Sequence, residues 1–238
     1  MKRLGLILTL LLGSLATFAI AQGGDRQDAR FVLAEDRPDR STGERITIDY
    51  KNPDDPEGKP PAVRKVVTVA PKGTSYDPRG PRSCTASEPE LIAQGGGACP
   101  PGSRVGGGVV KVDTGTPGPE RFVVADVKLF NNARDGNGEL VYVNTIRDNG
   151  GRTVIRANIK GRRTITRIDP PLPGTPPDGG AIDTARLALL QHSRIIDGER
   201  HSYIVSPPEC PDRGFWQTAV RFTYRDGIRQ ADRSSSEC

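Results

Sequence analysis

The sequence predicts an all-β protein, an antiparallel β-sandwich of immunoglobulin-like or related type, with one short helix and two local disulfides. Three observations lead there. Near the C-terminus, Trp216, Thr218, Val220, Phe222 and Tyr224 alternate with Gln217, Ala219, Arg221 and Thr223, ahead of Asp226-Gly227. That period of two marks a half-buried strand entering a hairpin. The chain carries 28 glycines and 21 prolines among 238 residues, which suits many strands joined by turns. Its four cysteines, Cys84, Cys99, Cys210 and Cys238, fall into two sequence-local pairs. In an exported chain such pairs are disulfides.

Export is the expectation from the first 21 residues. Lys2 and Arg3 precede an apolar run, and Ala19-Ile20-Ala21 forms a small-x-small cleavage site before Gln22. This is the layout of a signal peptide, too short in its apolar part for a membrane span. Residues 22–44 read as mostly flexible, with a short strand candidate at Phe31-Val32-Leu33, and 45–238 as a single β-sandwich domain. No later stretch is apolar enough to cross a membrane. The net charge of +5 includes Lys2 and Arg3, and the basic residues are interspersed with acidic ones. No basic run with interleaved aromatics appears, so nucleic acid is not an expected partner.

In chain order, 45–51 places Ile46, Ile48 and Tyr50 on one face, and a proline-rich break at 52–61 leads to a valine-rich strand over 62–70. Between Cys84 and Cys99 lies the one clear helix signal. Ser87 can cap it, Glu90 completes a capping box, and Gly95 can end it. Residues 104–113 form a strand whose Gly106-Gly107-Gly108 marks a bulge or close backbone approach. Residues 122–130 alternate Val123, Ala125, Val127 and Leu129 with Asp126 and Lys128, and 140–146 is apolar on both faces. Asn149-Gly150, Gly161 and Asp197-Gly198 mark hairpins within a meander. The stretch 169–180 is structureless. Residues 181–191 fit a strand or a helix, and strand is preferred because every neighbour is β.

Chemistry-bearing patterns are sparse. No G-x-S-x-G elbow exists, and the two histidines, His192 and His201, are each followed by serine. With the cysteines oxidised, no thiol nucleophile remains. Asp54, Asp55 and Glu57 form an acidic loop, and Asp135, Asn137 and Glu139 resemble part of a calcium loop. The latter lacks the sixth-position glycine and distal glutamate of an EF-hand. Plain turns are the expectation for both, with no cofactor and no catalytic residues.

Several blocks are NPDDPEGKPPAVRKVV (52–67), CTASEPEL (84–91), ACPPGSRVGGG (98–108), PPLPGTPPDGG (170–180) and SPPECPDRGFWQTAVRFTYRDG (206–227). Together they resemble a group of secreted β-rich proteins from high-GC Gram-positive (actinobacterial) organisms that has no assigned activity. The terminal hairpin resembles the closing strands of bacterial immunoglobulin-like domains. The resemblance implies export and disulfides, and nothing catalytic.

The functional expectation is therefore an exported, non-catalytic extracellular or cell-envelope domain presenting a binding or structural surface to an envelope component. A second reading follows from strands apolar on both faces (122–130, 140–146, 185–190): a curved β groove carrying an apolar small molecule or lipid. A third is a hydrolase using His192 or His201. The cysteine pairing is testable. Cys210→Ser should cost about 2–5 kcal/mol in urea unfolding, and unchanged stability would rule out the 210–238 clasp.

Overall fold

The computed structural model describes residues 25–134 and 137–238. The expected signal peptide, residues 1–21, lies outside the described residues. Fifteen strands and one helix follow: β1 (Gln27–Leu33), β2 (Glu44–Tyr50), β3 (Val63–Val69), β4 (Ser75–Tyr76), α1 (Glu88–Gln94), β5 (Arg104–Asp113), β6 (Phe122–Arg134), β7 (Asn137–Ile146), β8 (Arg152–Lys160), β9 (Arg163–Arg167), β10 (Ala181–Leu189), β11 (Ser193–Ile196), β12 (Glu199–Ser202), β13 (Ile204–Val205), β14 (Phe215–Tyr224) and β15 (Arg229–Glu237). The mostly-β composition, the one short helix and both disulfides agree with expectation. Residues 181–189 are a strand, as preferred.

The sandwich does not stand. Eleven strands join into one sheet in the order β1-β2-β10-β5-β6-β7-β8-β9-β3-β14-β15, every pair antiparallel. The sheet curls into a barrel-like form that brings its two ends, β1 and β15, side by side. Alternation tells which residues of a strand face inward. It is the same whether inner faces meet across two sheets or surround a lumen, so the sequence period does not separate the two.

Within the segment 22–44, expected to be mostly flexible with a short strand candidate at Phe31-Val32-Leu33, the described residues 25–44 hold a longer strand. Gln27–Leu33 is β1, paired with β2 from Gln27↔Tyr50 to Leu33↔Glu44. Ala29, Phe31 and Leu33 are buried. Arg30 and Asp28, which make the segment look polar, fall on the outer face of the same alternation.

The junction of β1 with β15 is built from side chains. The Phe31 N–H donates to Ser234 Oγ at 3.0 Å, and the Leu33 N–H to Ser236 Oγ at 2.9 Å. The Ser234 hydroxyl donates in turn to the Ala29 carbonyl at 3.1 Å. Gln27 Nε2 donates to Asp232 Oδ1 at 3.1 Å, and Arg26 pairs with Asp226 at 2.6 Å. Serines thus stand in for the backbone ladder and satisfy amides that would otherwise be orphaned in a buried place.

Elsewhere the ladder is regular, with turn residues where backbone geometry demands them. Asp197 (φ 51°) and Gly198 (φ 84°) make the two-residue turn between β11 and β12, since a primed turn needs positive φ at both central positions. The Asn149-Gly150 signal also marks a hairpin, but its loop spans 147–151, closed by Asn149 Oδ1 accepting from the Gly151 N–H at 2.8 Å. In β5, a Cβ on Gly106 would lie 2.1 Å from the Ala188 carbonyl oxygen and one on Gly108 2.0 Å from that of Arg186. The glycine run therefore permits the close approach of β10, and on the other side of β5 the register against β6 slips between Arg104 and Gly106.

Outside the wall, α1 covers the second apolar face of β7. Leu91 is fully buried with Cys84, Phe130, Val141 and Val143. The Ser87 N–H donates to Glu90 at 2.7 Å, the reach-back bond of the capping box. Arg152 Nη1 donates to the Ile92 and Ala93 carbonyls, each at 3.0 Å, and satisfies the helix's other end. Cys84–Cys99 ties this short helix down, with Cα atoms 4.9 Å apart. Cys210–Cys238 holds the open end of the β14–β15 hairpin, as expected, at 5.6 Å. Trp216, Val220, Phe222 and Tyr224 are all buried, and Trp216 Nε1 donates to the Glu209 carbonyl at 2.8 Å.

The seam gives a direct test. Ser234→Ala leaves the Phe31 N–H without an acceptor, so it should lower unfolding free energy by about 1–3 kcal/mol. Amide exchange should accelerate at Phe31 first. Equal stability of the variant and the parent would show that the seam bonds do not form.

Candidate functional site: the barrel lumen

Inward residues of β1 to β3 and β5 to β10 line a cavity of about 840 Å³. Ile46, Ile48 and Tyr50 come from β2, Val110 and Val112 from β5, and Ala125 and Leu129 from β6. Leu140, Tyr142, Asn144 and Ile146 come from β7, Ile155 from β8, Thr166 from β9 and Val66 from β3. Barrel diameter grows with strand number, and eight strands already enclose an interior that side chains fill or that holds one small ligand. Eleven leave more room than side chains of ordinary size occupy.

The two ends of the lumen differ. At one, exposed lining residues come from three loops: Pro119 and Glu120 between β5 and β6, Asp148 and Asn149 between β7 and β8, and Pro173 and Gly174 between β9 and β10. This is the mouth. The long stretch 169–180, read from the sequence as structureless, is the rim here and is anchored by Gly180 N–H to Leu172 O at 2.9 Å. The other end is a packed floor, whose Tyr76, Ile159 and Tyr203 also line a second pocket of about 610 Å³. Val105, Leu129, Leu140, Ala157, Ile159 and Leu189 pack there against Tyr203 and Ile204, which are fully buried.

Glu44 sits at this floor. It is the first residue of β2, paired across to Leu33 and Leu189, and its side chain lines the lumen with only 5% of the residue exposed. No hydrogen bond or salt bridge reaches its carboxylate among the described residues. Burial pushes its pKa from 4.5 up to about 7, because the charged form has lost water without gaining a partner. Three tyrosines are its titratable neighbours: Tyr76 on β4, Tyr142 on β7 and Tyr203 after β12. Burial raises all three, Tyr142 to about 12. The Tyr203 hydroxyl is likewise buried without a partner. The sequence signal for Glu44 was present but short: the alternation Ile46, Ile48, Tyr50 extends back one step to a carboxylate on the inner face.

The histidines lie elsewhere. His192 immediately precedes β11 and His201 lies within β12, and the Tyr203 N–H donates to the His192 carbonyl at 2.8 Å. His201 Nδ1 lies 2.7 Å from Asp77 Oδ2. Burial raises the Asp77 pKa, but hydrogen bonds from Arg79 and His201 outweigh it and bring it to about 2. No hydroxyl or thiol bonds to the other nitrogen of His201 among the described residues, so the His–Asp pair has no nucleophile beside it.

The acidic loops are also apart from the lumen. Asp54, Asp55 and Glu57 are exposed in the turn after β2. Asp135 lies outside the described residues, as does the side chain of Asn137. Glu139 is taken up by Arg156 at 2.9 Å and by Asn132 at 2.5 Å. Among the described residues no three His, Cys, Asp or Glu side chains gather as metal ligands, and no helix is long and apolar enough to cross a membrane.

Glu44 predicts a pH dependence. The folded protein holds this proton more tightly than the unfolded chain, so the stabilisation is full below about pH 4.5 and is lost as pH rises through about 7. Glu44→Gln, which mimics the protonated acid, should therefore be more stable than the parent at pH 8, by about 3 kcal/mol. At pH 4 the two should match. Urea unfolding at both pH values checks this, and an equal difference at each would remove the buried-carboxylate account. Comparison of the chain with protein families, with curated proteins and with solved structures finds no match.

Proposed function

We propose that this protein is an exported, non-catalytic carrier that holds an apolar small molecule inside its barrel. The observation that carries this is the lumen: about 840 Å³, walled by aliphatic and aromatic side chains, with a rim of loops at one end and a packed floor at the other. Ligand cavities run roughly 300–1,000 Å³, with apolar walls and a few polar groups that fix orientation. Asn144, Thr166 and Glu44 are such groups in this wall. For the surface-presenting role expected first from the sequence, the large exposed apolar side chains among the described residues are Ile92, Phe122, Leu190 and Ile195, which lie in or beside different elements.

Two observations support the remaining parts of the reading. The disulfides Cys84–Cys99 and Cys210–Cys238 suit an oxidising, extracytoplasmic compartment. The one His–Asp pair lies outside the lumen and has no nucleophile, which supports holding rather than hydrolysis.

Binding of the uncharged, environment-sensitive apolar dye N-phenyl-1-naphthylamine tests the carrier reading. Fluorescence should rise saturably with one site per chain. Ala125→Trp adds bulk to the lumen wall and should weaken binding at least tenfold, with an unchanged far-ultraviolet spectrum. No saturable binding by the parent, or full binding by the filled variant, would overturn the proposal.

A further inference from the structure

Resting on the carrier reading, we infer that the ligand is an apolar chain or ring system bearing one basic amine, seated head-down with its ammonium on Glu44. Four observations converge on that class.

The floor of the lumen holds a carboxylate with no protein partner. Glu44 is nine-tenths buried, aimed into the cavity and flanked on β1 and β10 by Leu33 and Leu189, which offer it nothing. An unpaired acid in such a place costs several kcal/mol if ionised. A ligand ammonium would supply the missing charge and up to three donors.

The groups facing Glu44 add no competing cation. From β4, β7 and the segment after β12 they are Tyr76, Tyr142 and Tyr203, phenols that are neutral at physiological pH and that burial moves further from ionising. The rings of Tyr76 and Tyr203 meet edge-on at 6.4 Å. Phenol faces and hydroxyls around a carboxylate suit an ammonium group, which both can stabilise.

The mouth is acidic as well. Glu120 and Asp148 line it and form no salt bridge among the described residues. Of the nearby cations, Lys111 is paired with Asp183 at 3.0 Å, Arg121 with Asp113 at 3.0 Å and Arg147 with Asp126 at 2.7 Å, while Lys59 donates to the Gly179 carbonyl of the rim at 2.7 Å, which leaves two free carboxylates against one lysine. The entrance therefore favours approach by a cation and opposes a carboxylate or phosphate head.

Between mouth and floor the wall is mostly aliphatic, with Ile46, Ile48, Val110, Ile155 and Leu187 around the middle, and carries uncharged polar groups on Asn144, Thr68, Thr153, Thr164 and Thr166. A molecule polar at one end and apolar along its body matches that order.

The test uses three ten-carbon probes that share one tail: decylamine, decanol and decanoate, titrated by calorimetry at pH 8 into the full mature chain. The amine should bind at least tenfold more tightly than the alcohol, and decanoate should bind weakest. In Glu44→Gln the amine-to-alcohol preference should collapse to within about twofold. Binding of all three with equal strength, or tightest binding of decanoate, would overturn the amine assignment while leaving the carrier reading intact. Binding of none would overturn both. A preference that persists in Glu44→Gln would place the amine away from the floor and also overturn the inference. The comparison within the parent protein decides the point even if the variant does not fold.

Discussion

The structure depends on closing one seam. Ten of the eleven neighbour relations around the barrel are backbone ladders, and the eleventh, β1 against β15, is made by serine hydroxyls and a few longer side chains. Without that junction the sheet would be open, with a lumen face bared to water along its whole length. The loss would be large, because Phe31, Ile46, Ile48 and Tyr50 on one side and Val220, Phe222 and Tyr224 on the other share a single core cluster. Each such side chain gains about 1.5–3 kcal/mol from burial. A handful of hydroxyl bonds worth about 1 kcal/mol apiece fixes where the edges meet; the apolar cluster beneath them supplies most of the driving force.

Polarity inside the barrel is graded to match. The half of the lumen beside the seam is filled by aromatic rings, with Tyr50 and Phe222 edge-on at 5.9 Å. The Tyr224 hydroxyl donates to Gln27, so its polar end is satisfied. Among the described residues, β14 and β15 contribute nothing to the cavity lining, whereas β5–β9 include small residues such as Ala125, Thr153, Thr164 and Thr166 in the wall. The cavity is thus a consequence of side-chain size on particular strands. Glu44 is the exception to the grading: a group whose charge is disfavoured where it stands, at the point where the packed floor begins.

Much of this was legible in the residues. Alternation located β2, β6 and β14, apolar or glycine-rich runs located β3, β5 and β7, β10 was preferred as a strand because its neighbours are β, and the capping box located α1. Sequence-local cysteines paired as their spacing suggested. The doubly apolar strand 140–146 was readable as unusual, and its two faces prove to have different covers: Leu140 and Tyr142 face the lumen, Val141 and Val143 lie under α1. The closure was not legible. It rests on Ser234 and Ser236, which sit in the stretch Arg233-Ser-Ser-Ser-Glu and look like a polar tail. Burial of a serine is set by what packs on it from two hundred residues away, and local pattern carries no trace of that. Glu44 was hidden for a related reason. An acid at a strand's edge usually points to water, and only the position of β10 and Tyr203 encloses it.

The seam has a further consequence, which concerns order in time. It joins residues 27–33 to residues 229–237, so the first strand of the barrel to emerge from a ribosome or an export channel waits for the last. Contacts of such sequence separation are the slowest to form, since loop closure must be achieved before they repay it. The meander β5 to β9 can pair as it appears, neighbour by neighbour. The lumen cannot exist until β15 has arrived, which makes acquisition of any molecule inside it an event that follows synthesis of the whole wall.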